Sequence, residues 1–343
     1  MQSAVMSLLN TWLCRLLWIS ALCCCISVQA QPAPSPAPSP ASSTAYPQRP
    51  VKLIVPFSPG GLSDTLARLL AQPLSASLGQ QVLVENRPGA GGIVATELVA
   101  KSPADGHTLL LADPQHLAIN PALHSKLPYD AIRDFEPITL AAYGPLFLAV
   151  HGAVAANNFA EFAALAKARP GKLSYGSAGS GSIHHLSMES LKATAGLDIV
   201  HVPFKGAAQA MPALVGAQVD VVFAAYPSLA PQVKAGKVRI LAVSTGKRTR
   251  LAPEVPTLAE LGVRGYDFAG QIGLVAPAGT PREVIARLHG EIVKALRQPE
   301  LIERMTALGI DPVGNTPEDY ARLIRADLEK FARAVKISGA VAE

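Results

Sequence analysis

Two short stretches carry residues that could do chemistry. In "VPFSPGGLSD" (55–64) an apolar run ends at Val55, a glycine pair follows at Gly60 and Gly61, and Leu62, Ser63 and Asp64 open a segment of helical spacing. In "YGSAGSGSIHHLSMESLK" (175–192) the order recurs: an apolar run, the turn Ala178-Gly179-Ser180-Gly181-Ser182, then a helical segment. The first turn of a helix leaves backbone N–H groups unpaired and carries partial positive charge, so such an end attracts an anion. Glycine lets a ligand come close to the backbone. Neither 60–64 nor 178–182 contains Arg or Lys. That fits capture of a carboxylate by backbone donors rather than by a bidentate side-chain clamp. Two such ends facing each other would hold a diacid.

Further residues could join them. A carboxylate beside a bound anion repels it, so Asp64 reads as a contact to a ligand hydroxyl, amine or water, while the alternative is that Asp64 or Ser63 only caps the helix; the two roles can coexist. Phe57 either stacks on a ligand or ends a core strand. His185 either points toward the ligand or packs on its helix, with His184 facing outward. Lys205 supplies one positive charge or sits solvated in its loop. Tyr226, after an apolar run, closes one side.

The elements that must position these residues are legible as continuous apolar runs at 51–57, 81–87, 107–113, 145–152, 173–179, 198–204, 219–225, 238–245 and 270–277. Continuous rather than alternating runs read as buried strands. Helical stretches at 64–78, 158–168, 183–195, 206–217 and 281–297 lie between them, and 316–335 is a capped amphipathic helix with Thr316 at the N-cap and Pro317 at the first helical position. The alternation predicts an α/β protein with largely parallel sheets. Each glycine turn then falls at the carboxyl end of its strand, where open α/β sheets bind ligands.

Enzyme motifs fail against the same residues. Ser180 has Ala178 and Ser182 two residues either side, so the nucleophile-elbow pattern is missing. "GAGGIV" (89–94) has Val94 where a dinucleotide fingerprint needs its third glycine. His184 and His185 are adjacent and diverge on a helix, and His107, His116 and His124 lie near one another in sequence but no carboxylate spacing joins them into a known site. No enzyme activity, cofactor or metal is expected.

The 343 residues carry 30 Lys+Arg against 25 Asp+Glu, with no basic cluster, so a nucleic-acid partner has no support. Residues 1–30 read as a secretory signal peptide, with one charge at Arg15, an apolar stretch to Val28 and a cleavage pattern ending at Ala30. All 4 cysteines fall inside it, at 14 and 23–25. Leu22 before Cys23 argues against lipid attachment. Without this segment the formal charge is +4, from 29 basic and 25 acidic residues. Residues 31–45, "QPAPSPAPSPASSTA", form a Pro/Ala/Ser-rich linker. The remaining length, roughly 290 residues, exceeds what one core usually spans, so two lobes are expected.

In order along the chain, "PFSPGGLSD" (56–64), "VENRPGAGGIVA" (84–95), "AINPAL" (118–123), "YGSAGSGSIHHLSMESLK" (175–192), "VPFKG" (202–206), "ALVGAQVDVVF" (213–223), "PEVPTLAELG" (253–262) and "GLVAPAGTP" (273–281) resemble the periplasmic receptors of tripartite tricarboxylate transporters, the Bordetella uptake gene family. The resemblance implies a two-lobed type II periplasmic binding protein, a Venus flytrap with two crossing strands. It implies one lobe from 46–144 plus 271–343 and the other from 145–270. It further implies a monomer in the periplasm that binds a small carboxylate (a di- or tricarboxylate, an acidic amino acid or an aromatic acid) and hands it to a membrane permease. The alternative partner is a two-component histidine kinase, for which the ligand site would look the same. The resemblance supports a ligand-side role for Asp64, since this loop lines the family's pocket. Asp113 and Gln115 join the site through a selectivity loop, where Asp113-Pro114-Gln115 departs from the family's usual small polar residues and leaves the ligand open.

Overall fold

The computed structural model describes residues 46–341, so the signal-peptide and linker expectations lie outside the described residues. Among the described residues there are ten strands: β1 (Val51–Val55), β2 (Val82–Asn86), β3 (Thr108–Ala112), β4 (Phe135–His151), β5 (Leu173–Ser177), β6 (Ile199–Pro203), β7 (Val221–Ala225), β8 (Val238–Val243), β9 (Ala269–Pro277) and β10 (Asp311–Pro312). Their order along the sheet is β2-β1-β3-β9-β4-β7-β5-β6, with β10 and β8 both added to β4. β1, β2 and β3 run parallel, as do β5, β6 and β7.

β4 serves two sheets. Phe135 to Pro145 pair with β9, and Tyr143 and Ala142 with β10. From Leu146 onward the strand pairs with β7, and from Phe147 with β8. The first half of β4 was hidden in sequence for a physical reason. Pro137 cannot donate to a ladder, and register shifts between Pro137 and Thr139 and between Leu140 and Ala142 interrupt the pairing.

The helices are α1 (Leu62–Leu78), α2 (Ile93–Ala100), a π turn (Gln115–Ile119) running into the short α3 (Asn120–Leu123), α4 (Phe159–Ala168), α5 (Ile183–Ala195), α6 (Ala207–Val215), α7 (Tyr226–Lys234), α8 (Arg282–Leu296), α9 (Pro299–Ala307) and α10 (Pro317–Ser338). α1 and α8 cover one face of the first sheet with Leu66, Leu70, Leu74, Leu288 and Ile292, while α2 and the start of α10 cover the other. α4 and α5 pack on one face of the second sheet, and α6 and α7 on the other. Thr316 caps α10 by accepting from Asp319 N. α10 belongs to both halves: Tyr320 and Ile324 pack in the core beside β3, whereas Phe331, Ala334 and Val335 pack in the core beside β5. The 271–343 segment therefore shares its last helix with the second half.

Two glycines differ in what they tolerate. Gly273 on β9 lies under the Tyr320 ring, and a Cβ there would overlap it. Gly290 on α8 has open space and a helical setting. Gly273→Ala is expected to cost about 1–3 kcal/mol through overpacking, whereas Gly290→Ala should add roughly 0.5–1 kcal/mol through helix propensity. Thermal melts of the two variants check both signs.

Candidate functional site

The first glycine turn follows β1 and leads into α1. Its helix starts without a side-chain cap: Gly61 is the N-cap residue, with extended φ −77° and ψ 174°. The amides of Gly61, Leu62, Ser63 and Asp64 find no acceptor among the described residues. Those donors belong to an exposed loop, since Pro59, Gly60, Gly61 and Leu62 are all exposed.

Asp64 does not join them. Its carboxylate is turned inward and is buried. Oδ2 accepts from Gly60 N at 2.8 Å and Arg68 Nε at 3.1 Å, and Oδ1 accepts from Asn86 Nδ2 at 2.9 Å with Arg68 Nη2 at 3.0 Å. Placed third in the helix, Asp64 reaches back past the N-cap to the Gly60 amide, so it braces the glycine turn and leaves the first-turn amides of the helix unpaired. Burial pushes its pKa up. The hydrogen bonds from Arg68, Gly60 and Asn86 and the Arg68 charge outweigh burial and hold it below the ordinary value. Asn86 also donates to Phe57 O at 3.1 Å, so one side chain at the end of β2 ties both ends of the turn.

Phe57 is half-buried, its edge against the His116 ring with centroids 5.2 Å apart. His116 is fully buried and lies 2.8 Å from Asp113 Oδ1, which also accepts from Gln115 N at 2.8 Å. Gln115 Nε2 donates to Asn120 Oδ1 at 2.8 Å, and Asn120 holds Gly91 O at 3.0 Å. Asp113 and Gln115 are thus joined to the first turn through His116, and both spend side-chain groups on internal contacts.

The second turn follows β5. Ser182 is the N-cap of α5, accepting from His185 N at 3.3 Å and donating to Gly179 O at 2.7 Å. Gly179 N donates to Ser177 Oγ and Gly181 N to His185 Nδ1, each at 3.1 Å. The amides of Ser180, Ile183 and His184 find no acceptor among the described residues, and Ser180 is exposed. Of the two hydroxyls in this turn, only that of Ser180 is uncommitted. His185 is buried and turned toward the strands, the packed alternative of its two readings, and His184, expected to face outward, is instead half-buried with its Nδ1 enclosed and without a partner among the described residues. α3 lies against the second turn and the Gly89–Gly92 loop: Asn120 holds Gly91 O, and a Cβ on Gly181 would meet Leu123 Cδ1 at 3.0 Å.

Lys205 is exposed next to Phe204, whose carbonyl would lie 3.3 Å from a Cβ on Gly179. Tyr226 stands apart. Its ring packs 5.3 Å from Phe147 and lines a cavity of about 660 Å³ with Gly152, Val233 and Arg239, residues of neither turn. Asn86, Arg68, His116, Ser177 and His201 support the turns and were not singled out from sequence. Arg68 had a signal, lying four residues after Asp64 on a helix, and Asn86 lies within the quoted "VENRPG". His116, Ser177 and His201 had none beyond residue type.

Asp64 makes a testable contribution to stability. Its folded pKa is depressed, so the stability it lends is complete above about pH 4 and is lost as the pH falls through the folded value. Asp64→Asn is expected to melt lower at pH 7, by roughly 1–3 kcal/mol for the broken network, with the deficit shrinking on acidification. Carboxylate affinity measured alongside should hold if Asp64 is a brace alone; a loss would put it on the ligand side.

A family model, the tripartite tricarboxylate transporter family receptor, matches residues 66–339. The chain is 39% identical over 292 residues to the UPF0065 protein in the tcbD-tcbE intergenic region of a Pseudomonas species, covering 85% of this chain and 87% of the relative. Among solved structures it is similar to Rhodopseudomonas palustris Rpa4515 with adipate, at 35% identity and TM-score 0.73, over 86% of this chain and 99% of that one. It is similar also to MatC from Rhodopseudomonas palustris with bound malate, at 33% identity and TM-score 0.69, over 84% of this chain and 100% of that one. The mixed α/β fold, strands flanked by helices, is therefore that of TctC-type solute-binding proteins, and the chain belongs to the tripartite tricarboxylate transporter receptor family.

Proposed function

We propose that this protein is a periplasmic solute-binding receptor that captures a small dicarboxylate between its two glycine turns and delivers it, as a monomer, to a tripartite tricarboxylate-type permease. One observation carries the reading: the start of α1 keeps four amides without an acceptor among the described residues, while the nearest carboxylate is locked away from them. A carboxylate ligand would complete these donors and meet the positive end of the helix. The second turn would offer Ser180, Ile183 and His184 amides and the Ser180 hydroxyl to the other end. Phe57 would shield the ligand, and Lys205 would add one positive charge near Gly179. The adipate and malate held by two relatives are dicarboxylates, which supports the class without fixing the member.

Capture follows from population shift. A ligand touching both turns binds the closed arrangement of the two halves better and moves the equilibrium toward it. No described helix is long and apolar enough to cross a membrane. That is compatible with a receptor that meets its permease from outside the bilayer.

Two measurements test the reading. Protein refolded to strip carried-over ligand is screened by thermal shift against small dicarboxylates and their amides. Ligand at about 100 times Kd stabilises by about 2.7 kcal/mol, so an acid should raise the melting temperature by several degrees where its amide does not; no response to any acid defeats the proposal. The second test is Leu62→Pro. Proline is favoured at the first helical position and removes only the N–H there. The extended Gly61 before it suits proline, and the Leu62 side chain is exposed. Carboxylate affinity should fall about tenfold or more, the worth of a charge-assisted hydrogen bond, with melting unchanged or higher. Wild-type affinity in this variant would remove the first turn from the site.

A further inference from the structure

The second turn rests on two histidine rings that the binding reading leaves unused. His185 Nδ1 accepts from Gly181 N at 3.1 Å. Its ring stacks on His201, centroids 4.1 Å apart and planes within 10°, and His201 stacks in turn on Tyr175 at 4.7 Å. His201 Nε2 lies 2.7 Å from Ser177 Oγ, which accepts from Gly179 N at 3.1 Å and lies 3.2 Å from Gly179 O. Each ring therefore governs one of the two glycines that shape the turn. Both glycines have positive φ, +117° at Gly179 and +72° at Gly181, so neither is held there by side-chain sterics.

We propose that His185 and His201 are the positioning residues of the second turn, and that the turn keeps its ligand-holding shape only while His185 is neutral. The proposal rests on the reading of that turn as half of the carboxylate site. A backbone amide can only donate, so Nδ1 of His185 must carry a lone pair and the ring hydrogen must sit on Nε2. A second proton on Nδ1 would set one N–H against another and release Gly181. The ionisable groups facing the ring are Glu189 and Lys192 from α5, His201 from β6 and Tyr175 from β5. Glu189 is the one group that would favour an imidazolium, and its Oε1 is already engaged by Tyr175 OH at 2.6 Å and Lys192 Nζ at 2.7 Å. Burial lowers the pKa of His185; it also takes that of His201 down to about 4, with the neighbouring His185 pushing the same way. Both rings are neutral at pH 7, and acidification below the ordinary histidine value of about 6.5 is the direction that loosens the turn.

The test begins with ligand-free protein, by following the His185 ring nitrogens and the Gly181 amide by NMR against pH. The Nε2–H tautomer at neutral pH, and a Gly181 amide that moves with the ring's titration, are expected. An Nδ1–H tautomer, or an amide that stays still while the ring protonates, overturns the proposal. Adipate is the binding probe. His185→Leu should weaken it about tenfold at pH 7.5. His185→Asn, whose Oδ1 can accept near the Nδ1 position, should restore affinity and lose the extra weakening that the wild type shows on acidification. Titration of the probe itself is common to all three proteins and cancels. Equal affinity in His185→Leu, or an Asn variant that tracks the wild-type pH profile, defeats the proposal while leaving the carboxylate site intact. Failure of wild-type protein to bind adipate counts against the dicarboxylate reading, and the NMR titration then decides the histidine claim alone.

Discussion

The pairing of β4 is the constraint from which the rest follows. Its amides and carbonyls bond to β9 and β10 along one half and to β7 and β8 along the other. Breaking that ladder anywhere in the middle would strand buried polar groups in both sheets. The two sheets are therefore built outward from one backbone. The strands that carry the glycine turns are placed by counting outward from it: β1 through β9 and β3, β5 through β7. Gly144 and Gly270 mark the passage between the sheets: a Cβ on either would approach the other's carbonyl at 3.3–3.4 Å, so the backbones meet there without intervening side chains.

Around both turns, side-chain acceptors are spent on internal partners while several backbone amides are left without an acceptor among the described residues. Asp64, placed where it could spoil an anion site, is consumed by Arg68, Asn86 and Gly60. Asp113 Oδ1 is spent on Gln115 N, and the Asp113 amide donates to His116 Nδ1. The second turn uses a neutral version of the same device, with imidazole and hydroxyl groups as its supports. On the proposed carboxylate reading, donors fixed by their own helix would need little reordering on binding, which lowers the entropy lost.

Much of this was legible in the sequence. The strands at 51–55, 173–177 and 221–225 and the helices at 183–195 and 317–338 fall within or close to the apolar runs and capping signals that predict them. What was hidden has physical causes. The start of β4 lies behind a proline and two register shifts. α7 carries Pro227 near its start and Pro231 inside it, which disguises a helix. The glycine turns announced themselves through residue type, but the choice between ligand contact and cap at Asp64 depended on Asn86, 22 residues away. His185 showed the same limit: only the fold brings it onto His201, from another strand. Local pattern finds where donors are free; it does not find what has been spent to keep them so.

α10 has a mechanical consequence. A helix of 22 residues is a rod about 33 Å long, and hydrogen-bonded helices resist stretching. Tyr320 anchors one end region in the core beside β3 and Phe331 anchors the other beside β5. The distance between those anchors is thereby fixed like a tie bar in a linkage. The two halves can roll about the bar, but they cannot be drawn apart along it without pulling an aromatic ring from its core. Rolling about the bar is the motion this coupling leaves open, and separation along it is the motion it opposes.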